Sequence, residues 1–222
     1  MVYSSYYTFG QTLIDKISIS GGMKGKFTFE FDGVDLLTDL LAAKKGGVLI
    51  SAHIGNFEIA EHFFGEIDLN CQINLVTTDL ERSDIKNYLE KVTKRSAIKF
   101  IVIKDDLSHI FEINAALARN ELVCFTGDRY FEGVKSLTGN LLGQDAKFPA
   151  GPFLIASRLN VPVVFVYVMK EPDLHYHLYA RKAEVKHRDE KGLLQAYIDN
   201  VESMVKKYPL QWFNYFDFWE QL

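Results

Sequence analysis

The sequence predicts an α/β fold, a layered sandwich whose central, mostly parallel or mixed sheet is flanked by helices. From Gly33 onward, segments with helical spacing of apolar residues alternate with short runs of β-branched and other apolar residues. Short connections join these segments, and the sequence shows neither a linker nor an internal repeat. This alternation is typical of one layered domain, so we assign residues 1–222 to a single domain.

The first elements of the alternation surround the most informative segment of the chain. Residues 34–44 have helical spacing, and the apolar run 48–51, preceded by glycine, predicts a strand buried on both faces. His53 therefore follows the end of that strand. Asn56 is a favourable N-cap for a helix over 57–64, and Glu58 lies in its first turn, where the helix dipole favours a carboxylate.

The remaining elements continue the same alternation. Apolar and β-branched runs predict strands over 72–77, 99–103, 122–126 and 163–169, and an edge strand or hairpin arm over 175–185. Apolar residues three and four positions apart predict helices over 84–95, 108–119, 149–159 and 193–207. The stretch 127–148 fits neither period and contains four glycines. We expect a long loop there, of the kind that often carries function.

The N-terminal segment, about residues 1–20, is rich in aromatic residues. Its apolar side chains are spaced roughly for one face of a helix; they are Tyr3, Tyr6, Tyr7, Phe9, Leu13, Ile14 and Ile17. Either this face docks on the domain, or it meets lipid. Lysines are sparse here, and amphipathic helices commonly dock on their own core, so we favour docking.

Composition excludes several classes of function. The 25 basic and 29 acidic residues give a net charge of −4, so no global basic field attracts nucleic acid. No GxGxxG follows a predicted strand and no phosphate-binding GKS or GKT occurs, so a dinucleotide site or P-loop is unsupported. No apolar run approaches the roughly 20 residues that cross a bilayer, and the N-terminus lacks a signal-peptide pattern. We expect a soluble or membrane-peripheral protein.

The cysteines and the paired histidines have ordinary interpretations beside sharper ones. Cys71 and Cys124 lie in apolar runs without CxxC spacing, which indicates reduced core thiols in a cytoplasmic setting. The alternative, Cys124 as an acyl-enzyme nucleophile, lacks an adjacent base. His175 and His177 share one side of a predicted strand and could hold a metal with a third ligand. Without such a ligand in the pattern, we expect a solvated or hydrogen-bonded pair and no metal.

The turn after residue 51 carries residues suited to acyl transfer. Transfer from a thioester to an alcohol needs a base for the hydroxyl proton, a group that fixes the base, and donors for the oxyanion. His53 and Glu58 supply the base and an orienting acid, and the Gly55 and Asn56 amides could face an oxyanion. The alternative is an ordinary strand-end histidine beside a carboxylate that merely favours the helix dipole.

Four blocks of the sequence stand in the order of a known family. They are His53-Ile54-Gly55-Asn56-Phe57-Glu58, Thr126-Gly127-Asp128-Arg129, Gly143 to Pro152, and Val161-Pro162-Val163-Val164. With these blocks the chain resembles the lipid A late acyltransferases, the lauroyl and myristoyl transferases of the lysophospholipid acyltransferase superfamily. The tail Tyr208-Pro209-Leu210-Gln211-Trp212-Phe213 is also similar to the segment that ends many members. Phenylalanine stands at 57 where the family frequently has tryptophan. Members usually carry an N-terminal hydrophobic anchor, which is not recognisable here.

The resemblance implies a glycerol-phosphate-acyltransferase-like fold and assigns roles to residues. His53 is expected to be the catalytic base and Glu58 its partner. Arg129, with Asp128 beside it, is expected to bind a phosphate of a substrate or the reacting carbonyl; a salt bridge from Arg129 to Asp128 or another acid is the alternative. Gly151 and Pro152 are expected to shape the acceptor pocket at a helix start, or else to mark only the start of that helix.

The resemblance also implies the partners and the location. The acyl donor is expected to be an acyl carrier protein or coenzyme A thioester, and the acceptor a lipid A precursor or another lipid or glycolipid. No cofactor beyond that co-substrate is expected. The protein is expected at the cytoplasmic face of the bacterial inner membrane, where the aromatic tail after residue 211 could meet the lipid interface or pack in the core. A lipid-binding protein without turnover and a thioester or ester hydrolase stay open as alternatives.

Overall fold

A computed structural model describes residues 2–60, 62, 71–78, 98–104, 106–130 and 132–219, without the side chain of Glu58. Among these residues the strands are β1 (Thr28–Asp32), β2 (Gly47–Ser51), β3 (Ile73–Thr77), β4 (Ile98–Val102), β5 (Leu122–Thr126), β6 (Ser136–Leu141), β7 (Gln144–Pro149), β8 (Val163–Lys170) and β9 (His175–Lys182). The α-helices are α1 (Val2–Ser18), α2 (Val34–Ala42), α3 (Ser108–Ala118), α4 (Ala150–Arg158) and α5 (Glu190–Lys207). The predicted helix over 84–95 lies outside the described residues.

The central sheet has seven strands in the order β1-β9-β8-β2-β5-β3-β4. Every neighbouring pair is parallel except β8 and β9, which are antiparallel. The predicted class is therefore confirmed, an α/β fold with a mostly parallel central sheet flanked by helices. Parallel strands need crossover connections, and among the described residues α2, α3 and α4 lie in such connections.

Helices cover both faces of the sheet, so its central strands are apolar on both sides. In β2 all five residues are buried. Val48 and Ile50 belong to the larger core cluster, which also contains residues of α3, α4 and α5, whereas Leu49 faces the cluster formed with α2. This arrangement explains why the strand is a continuous apolar run rather than an alternating one.

Two sequence expectations about strands are wrong. The stretch 127–148 is not one long loop, because β6 and β7 form an antiparallel hairpin within it. Its turn residues Leu142 and Gly143 have φ angles of 55° and 87°, a primed hairpin turn, and leucine at the first position concealed the usual Asn-Gly signal. For the strand predicted as an edge strand or a hairpin arm, the hairpin arm is confirmed, because β9 pairs antiparallel with β8. The edge position is wrong, because β1, which the sequence did not predict, pairs on the other side of β9.

Helix α1 packs on the domain with one face and is open on the other. Thr12 and Asp15 are buried, and the Asp15 carboxylate accepts hydrogen bonds from Lys170 Nζ at 2.6 Å and from the Tyr176 hydroxyl at 2.7 Å. The predicted docking of this segment is therefore seen for its inner face. Its outer face leaves large apolar side chains exposed, namely Val2, Tyr3, Tyr6, Tyr7, Leu13, Ile14 and Ile17. No described helix is both long enough and apolar enough to span a bilayer.

Candidate active site

The site is built where two neighbouring parallel strands end side by side. Ser51, the last residue of β2, pairs with Thr126, the last residue of β5. The chain then continues for two residues from each strand, to His53 and to Asp128. Because parallel strands present their carboxyl ends at one edge of the sheet, these two side chains meet in the crevice where open α/β folds bind ligands.

His53 and Asp128 are joined by two hydrogen bonds. The backbone N–H of His53 donates to Asp128 Oδ2 at 2.9 Å, and Nδ1 of its ring lies 2.7 Å from Oδ1. The Asp128 side chain is fully buried, whereas 19% of the His53 side chain is exposed. The pair therefore has a rigid buried end and a solvent-facing end.

The charge of Asp128 is held by its surroundings. Its Oδ2 also accepts from Asn214 Nδ2 at 3.0 Å and from the Trp212 indole N–H at 3.4 Å. Burial acts to raise the pKa of Asp128, but the charge and hydrogen bonds of His53 and the Asn214 amide outweigh it and hold the pKa below the ordinary value of 3.8. The group is therefore a carboxylate at neutral pH.

An ionised Asp128 decides which nitrogen of His53 carries the proton. A carboxylate only accepts hydrogen bonds, so Nδ1 must be the donor in this pair. In the neutral ring Nε2 then has a free lone pair, and it hydrogen-bonds none of the described residues. This is the arrangement of a general base whose orienting acid also stabilises the imidazolium that forms.

Glu58 follows His53 in the short 3-10 turn Phe57–Ala60. Its side chain lies outside the described part of the chain, so contact between Glu58 and His53 stays a prediction. Nδ1 of His53 is already bonded to Asp128. Sequence reasoning grouped Asp128 with Arg129 as a substrate contact and did not foresee this pairing. The signal was available in principle, since Asp128 follows the end of a predicted neighbouring strand, as His53 does.

Arg129 lies beside the pair without an ionic partner among the described residues. Its Nε donates to Asn214 Oδ1 and its Nη2 to the Phe213 carbonyl, both at the long distance of 3.4 Å. The alternative of a salt bridge to Asp128 is not seen. The guanidinium is thus placed by weak contacts and is half-buried.

The backbone amides of Gly55 and Asn56 are not open to an oxyanion, which corrects the sequence prediction. The Gly55 N–H donates to the Gln211 carbonyl at 2.8 Å, and the Asn56 N–H donates to the Val168 carbonyl at 2.7 Å. Gly55 has φ of 65°, and a Cβ there would lie 2.1 Å from the Val168 oxygen. The turn therefore directs both amides toward the neighbouring backbone and requires glycine at its centre.

Gly151 and Pro152 lie in the first turn of α4, as predicted, and neither makes a hydrogen bond to His53 or Asp128. Ala150, the first residue of the helix, donates its N–H to the Lys135 carbonyl at 2.9 Å. Phe153, which follows Pro152, packs against Gly127: a Cβ added to Gly127 would be 3.1 Å from Cζ of the Phe153 ring. The start of α4 thus lies close to the block 126–129, while its role toward substrate stays a prediction.

The C-terminal segment contributes residues that sequence reasoning did not place in the site. Trp212 and Asn214 contact Asp128, and the Phe213 N–H donates to the His53 carbonyl at 2.9 Å. Ile54 and Trp212 form an antiparallel bridge, so the segment extends the local pairing beside the histidine. The Pro-Gln-Trp pattern of the tail was visible in the sequence, but nothing local connected it to His53.

An apolar cavity lies on the α2 side of the sheet. Its lining includes Ser51 and Phe57, which stand on either side of His53 in the sequence, and residues of the strands and α2, among them Leu37, Leu49, Leu75, Cys124, Val166 and Ala180. Burial, with a smaller effect of Cys71, raises the pKa of the Cys124 thiol to about 12. Cys124 is thus a neutral lining group rather than an activated nucleophile.

The paired histidines form no metal centre with described residues. His175 Nδ1 lies 2.8 Å from the Thr28 hydroxyl, and the His177 ring stacks on Tyr179 with centroids 4.1 Å apart. No group of three or more His, Cys, Asp or Glu suited to a metal occurs in the described ranges.

The family model for the bacterial lipid A biosynthesis acyltransferases matches residues 1–219. The chain belongs to this family. Membership establishes an acyltransferase of lipid A biosynthesis type, with an acyl donor and a lipid acceptor as its substrates. A comparison with curated proteins found no match. In this lipid A acyltransferase family member, the His-x4-Glu block and the block after β5 supply one site, in which His53 is bonded to Asp128.

Proposed function

We propose that the protein transfers a fatty acyl group from an acyl carrier protein or coenzyme A thioester to a hydroxyl of a lipid A precursor or another glycolipid, with His53 as general base. The observation that carries this proposal is the hydrogen bond from His53 Nδ1 to the buried Asp128 carboxylate, which leaves Nε2 free. Family membership supplies the reaction class.

The proposed chemistry needs no enzyme nucleophile, metal or redox cofactor. Nε2 of His53 takes the proton of the acceptor hydroxyl while its oxygen attacks the thioester carbonyl carbon. The tetrahedral intermediate then collapses to the ester, the C–S bond breaks, and the imidazolium returns its proton to the leaving thiolate. The products are the acylated lipid and the free thiol of the carrier.

Arg129 is proposed to supply positive charge to this reaction. It has no ionic partner among the described residues, and a guanidinium keeps its charge at any relevant pH and can bind phosphate or an oxyanion through two hydrogen bonds. Because the Gly55 and Asn56 amides already donate to backbone carbonyls, Arg129 is the group that stabilises the negative charge of the oxyanion in this scheme. Gly151 and Pro152 are proposed to border the acceptor.

The orienting role is proposed for Asp128, since its carboxylate contacts the ring. We also propose Glu58 as a second acid of the site, because it stands in the His-x4-Glu block of the family.

The outer face of α1 and the exposed aromatic residues of the tail are proposed to contact the bacterial inner membrane on its cytoplasmic side. Tyr215 and Phe216 of the tail are exposed, as is the outer face of α1, and Tyr6 stacks on Tyr215 with centroids 4.3 Å apart. Tyrosine and aliphatic side chains suit the lipid interface, and the residue next to Tyr215 contacts Asp128. A bilayer acceptor could thus reach the site without crossing open water.

Purified protein with an acyl carrier protein thioester and lipid A precursor tests the function. We expect thiol release that depends on the acceptor, an acceptor heavier by one acyl chain in mass spectrometry, and loss of both in His53→Ala with an unchanged circular dichroism spectrum. Free fatty acid at equal rates with and without acceptor would indicate a hydrolase. Tight lipid binding with no thiol release would indicate a lipid-binding protein.

A further inference from the structure

Two consecutive residues of the tail contact all three polar groups of the site. The Phe213 N–H donates to the His53 carbonyl at 2.9 Å, and Asn214 Nδ2 donates to Asp128 Oδ2 at 3.0 Å. Arg129 donates through Nε to Asn214 Oδ1 and through Nη2 to the Phe213 carbonyl. The Asn214 amide therefore lies between the carboxylate and the guanidinium.

The orientation of that amide follows from its neighbours. Its NH2 group can only donate and its oxygen can only accept, while Asp128 accepts and Arg129 donates. Only one of the two amide orientations satisfies both contacts. Asn214 thus gives each of these two opposite charges a hydrogen bond from a different end of its amide.

The chain around Asn214 is held on both sides. Gln211 brackets the backbone of Lys170, with its Oε1 accepting from the N–H at 2.9 Å and its Nε2 donating to the carbonyl at 2.7 Å. Phe9 of α1 packs on Phe213 and on Tyr215, the residues before and after Asn214, with ring centroids 5.0 and 5.8 Å apart. Because the chain on both sides of Asn214 is fixed, its side chain can restrain the positions of Asp128 and Arg129.

We propose that Asn214 is a positioning residue, which keeps Asp128 aligned with His53 and keeps Arg129 available for substrate by preventing an ion pair between Asp128 and Arg129. The effect on turnover rests on the proposed function. The alignment itself does not, because it is a property of the protein without substrate.

Three variants test this inference. Asn214→Ala removes both hydrogen bonds, and isosteric Asn214→Asp replaces the donor to Asp128 by a second carboxylate. Asn200→Ala is the matched control, since Asn200 is also half-buried and its Nδ2 donates to the Ala196 carbonyl on α5, away from the site. Circular dichroism and thermal melting check that each variant folds.

The first measurement is the proton NMR signal of the His53 Nδ1–H, identified by its absence in His53→Ala. We expect this signal to shift or broaden in both Asn214 variants and to stay unchanged in Asn200→Ala. An unchanged signal in both Asn214 variants would overturn the inference. Because no substrate is present, this result stands apart from any failure to find acyl transfer.

The second measurement is steady-state acyl transfer as a function of pH. For Asn214→Ala we expect kcat to fall by about 10- to 100-fold, with KM within about twofold, as for other residues that orient a reacting side chain. For Asn214→Asp the acid limb of kcat/KM is expected to move to higher pH, because a second negative charge favours the imidazolium. A kcat for Asn214→Ala within twofold of wild type would contradict the positioning role.

Discussion

Asp128 holds both the backbone N–H and the ring of His53, with one carboxylate oxygen for each. The two bonds fix the position of the residue and the direction of its imidazole at once. Because Asp128 is fully buried and ionised, this restraint is also electrostatic, and in the proposed mechanism it stabilises the imidazolium that forms on His53.

Replacement of the carboxylate by an amide is expected to remove most of the activity. Asp128→Asn keeps the shape but can present an NH2 group to Nδ1, which would leave the proton on Nε2. We expect kcat to fall by about 10³- to 10⁴-fold, as for the orienting aspartate of a catalytic triad. Acyl transfer kinetics provide the measurement.

Two further variants complete that comparison. Asp145→Asn, at a surface acid bonded to Asn140, should leave kcat unchanged. The fall in kcat for Glu58→Gln, measured in the same assay, gives the contribution of the second proposed acid. If Glu58→Gln costs as much as His53→Ala while Asp128→Asn costs less than tenfold, the orienting role belongs to Glu58 as the sequence predicted.

The lowered pKa of Asp128 predicts how stability depends on pH. A carboxyl whose pKa is lower in the folded than in the unfolded state stabilises the fold above the unfolded value, and this contribution is lost as pH falls through the folded value. The stability advantage of wild type over Asp128→Asn should therefore be present at neutral pH and shrink below about pH 4. Urea unfolding of both proteins across this range measures it. An advantage that grows toward acid would contradict the assignment.

The thiols are expected to be chemically silent in the native protein. Burial raises the pKa of Cys71 to about 11 and that of Cys124 to about 12, so almost no thiolate exists at pH 8. Intact mass after iodoacetamide should show no adduct in native protein and two in denatured protein. Cys124→Ala should keep acyl transfer within about threefold. An acyl adduct on Cys124 after incubation with donor would instead support covalent catalysis.

The turn at Gly55 is expected to tolerate no side chain. In Gly55→Ala the new Cβ is placed on a backbone with positive φ and clashes with the Val168 carbonyl. In Gly143→Ala the backbone has a positive φ of 87°, but no atom lies within 4 Å of the new Cβ. The positive φ costs about 1 kcal/mol or more at either position. The clash adds to it only at Gly55, so Gly55→Ala should lose more stability and also activity. Equal losses in chemical denaturation would show that the backbone angle alone accounts for the glycine.

The outer face of α1 is expected to control binding to lipid. Tyr3, Tyr7 and Ile14 are 82%, 61% and 64% exposed, and their joint replacement by serine should weaken binding to vesicles of anionic bacterial lipid by at least tenfold. Phe111→Ser is the control, because this side chain is 77% exposed on α3, a different helix. Cosedimentation measures both. Equal weakening by Phe111→Ser would argue against a specific membrane face.

The order of elements was predictable because each strand and helix carries its own local signal. The continuous apolar run of β2 and the spacing of α5 depend on period and burial alone, which the sequence displays directly. Where the local signal is weak, the prediction of strands from the sequence was wrong. The strands β1, β6 and β7 are rich in polar residues, and they are stabilised by their partners rather than by their own pattern.

The sequence by itself determined the reaction family, and it singled out His53 as the proposed base and Arg129 as the proposed cation, because these residues stand in recognisable blocks. Only the tertiary structure decided which groups surround them. The pairing of β2 with β5 brings Asp128 to His53 across 75 positions of chain, and the packing of the tail adds Asn214. Hydrogen bonds between distant segments leave no period or spacing in a single sequence, so the acid that contacts the base became visible only in the folded chain.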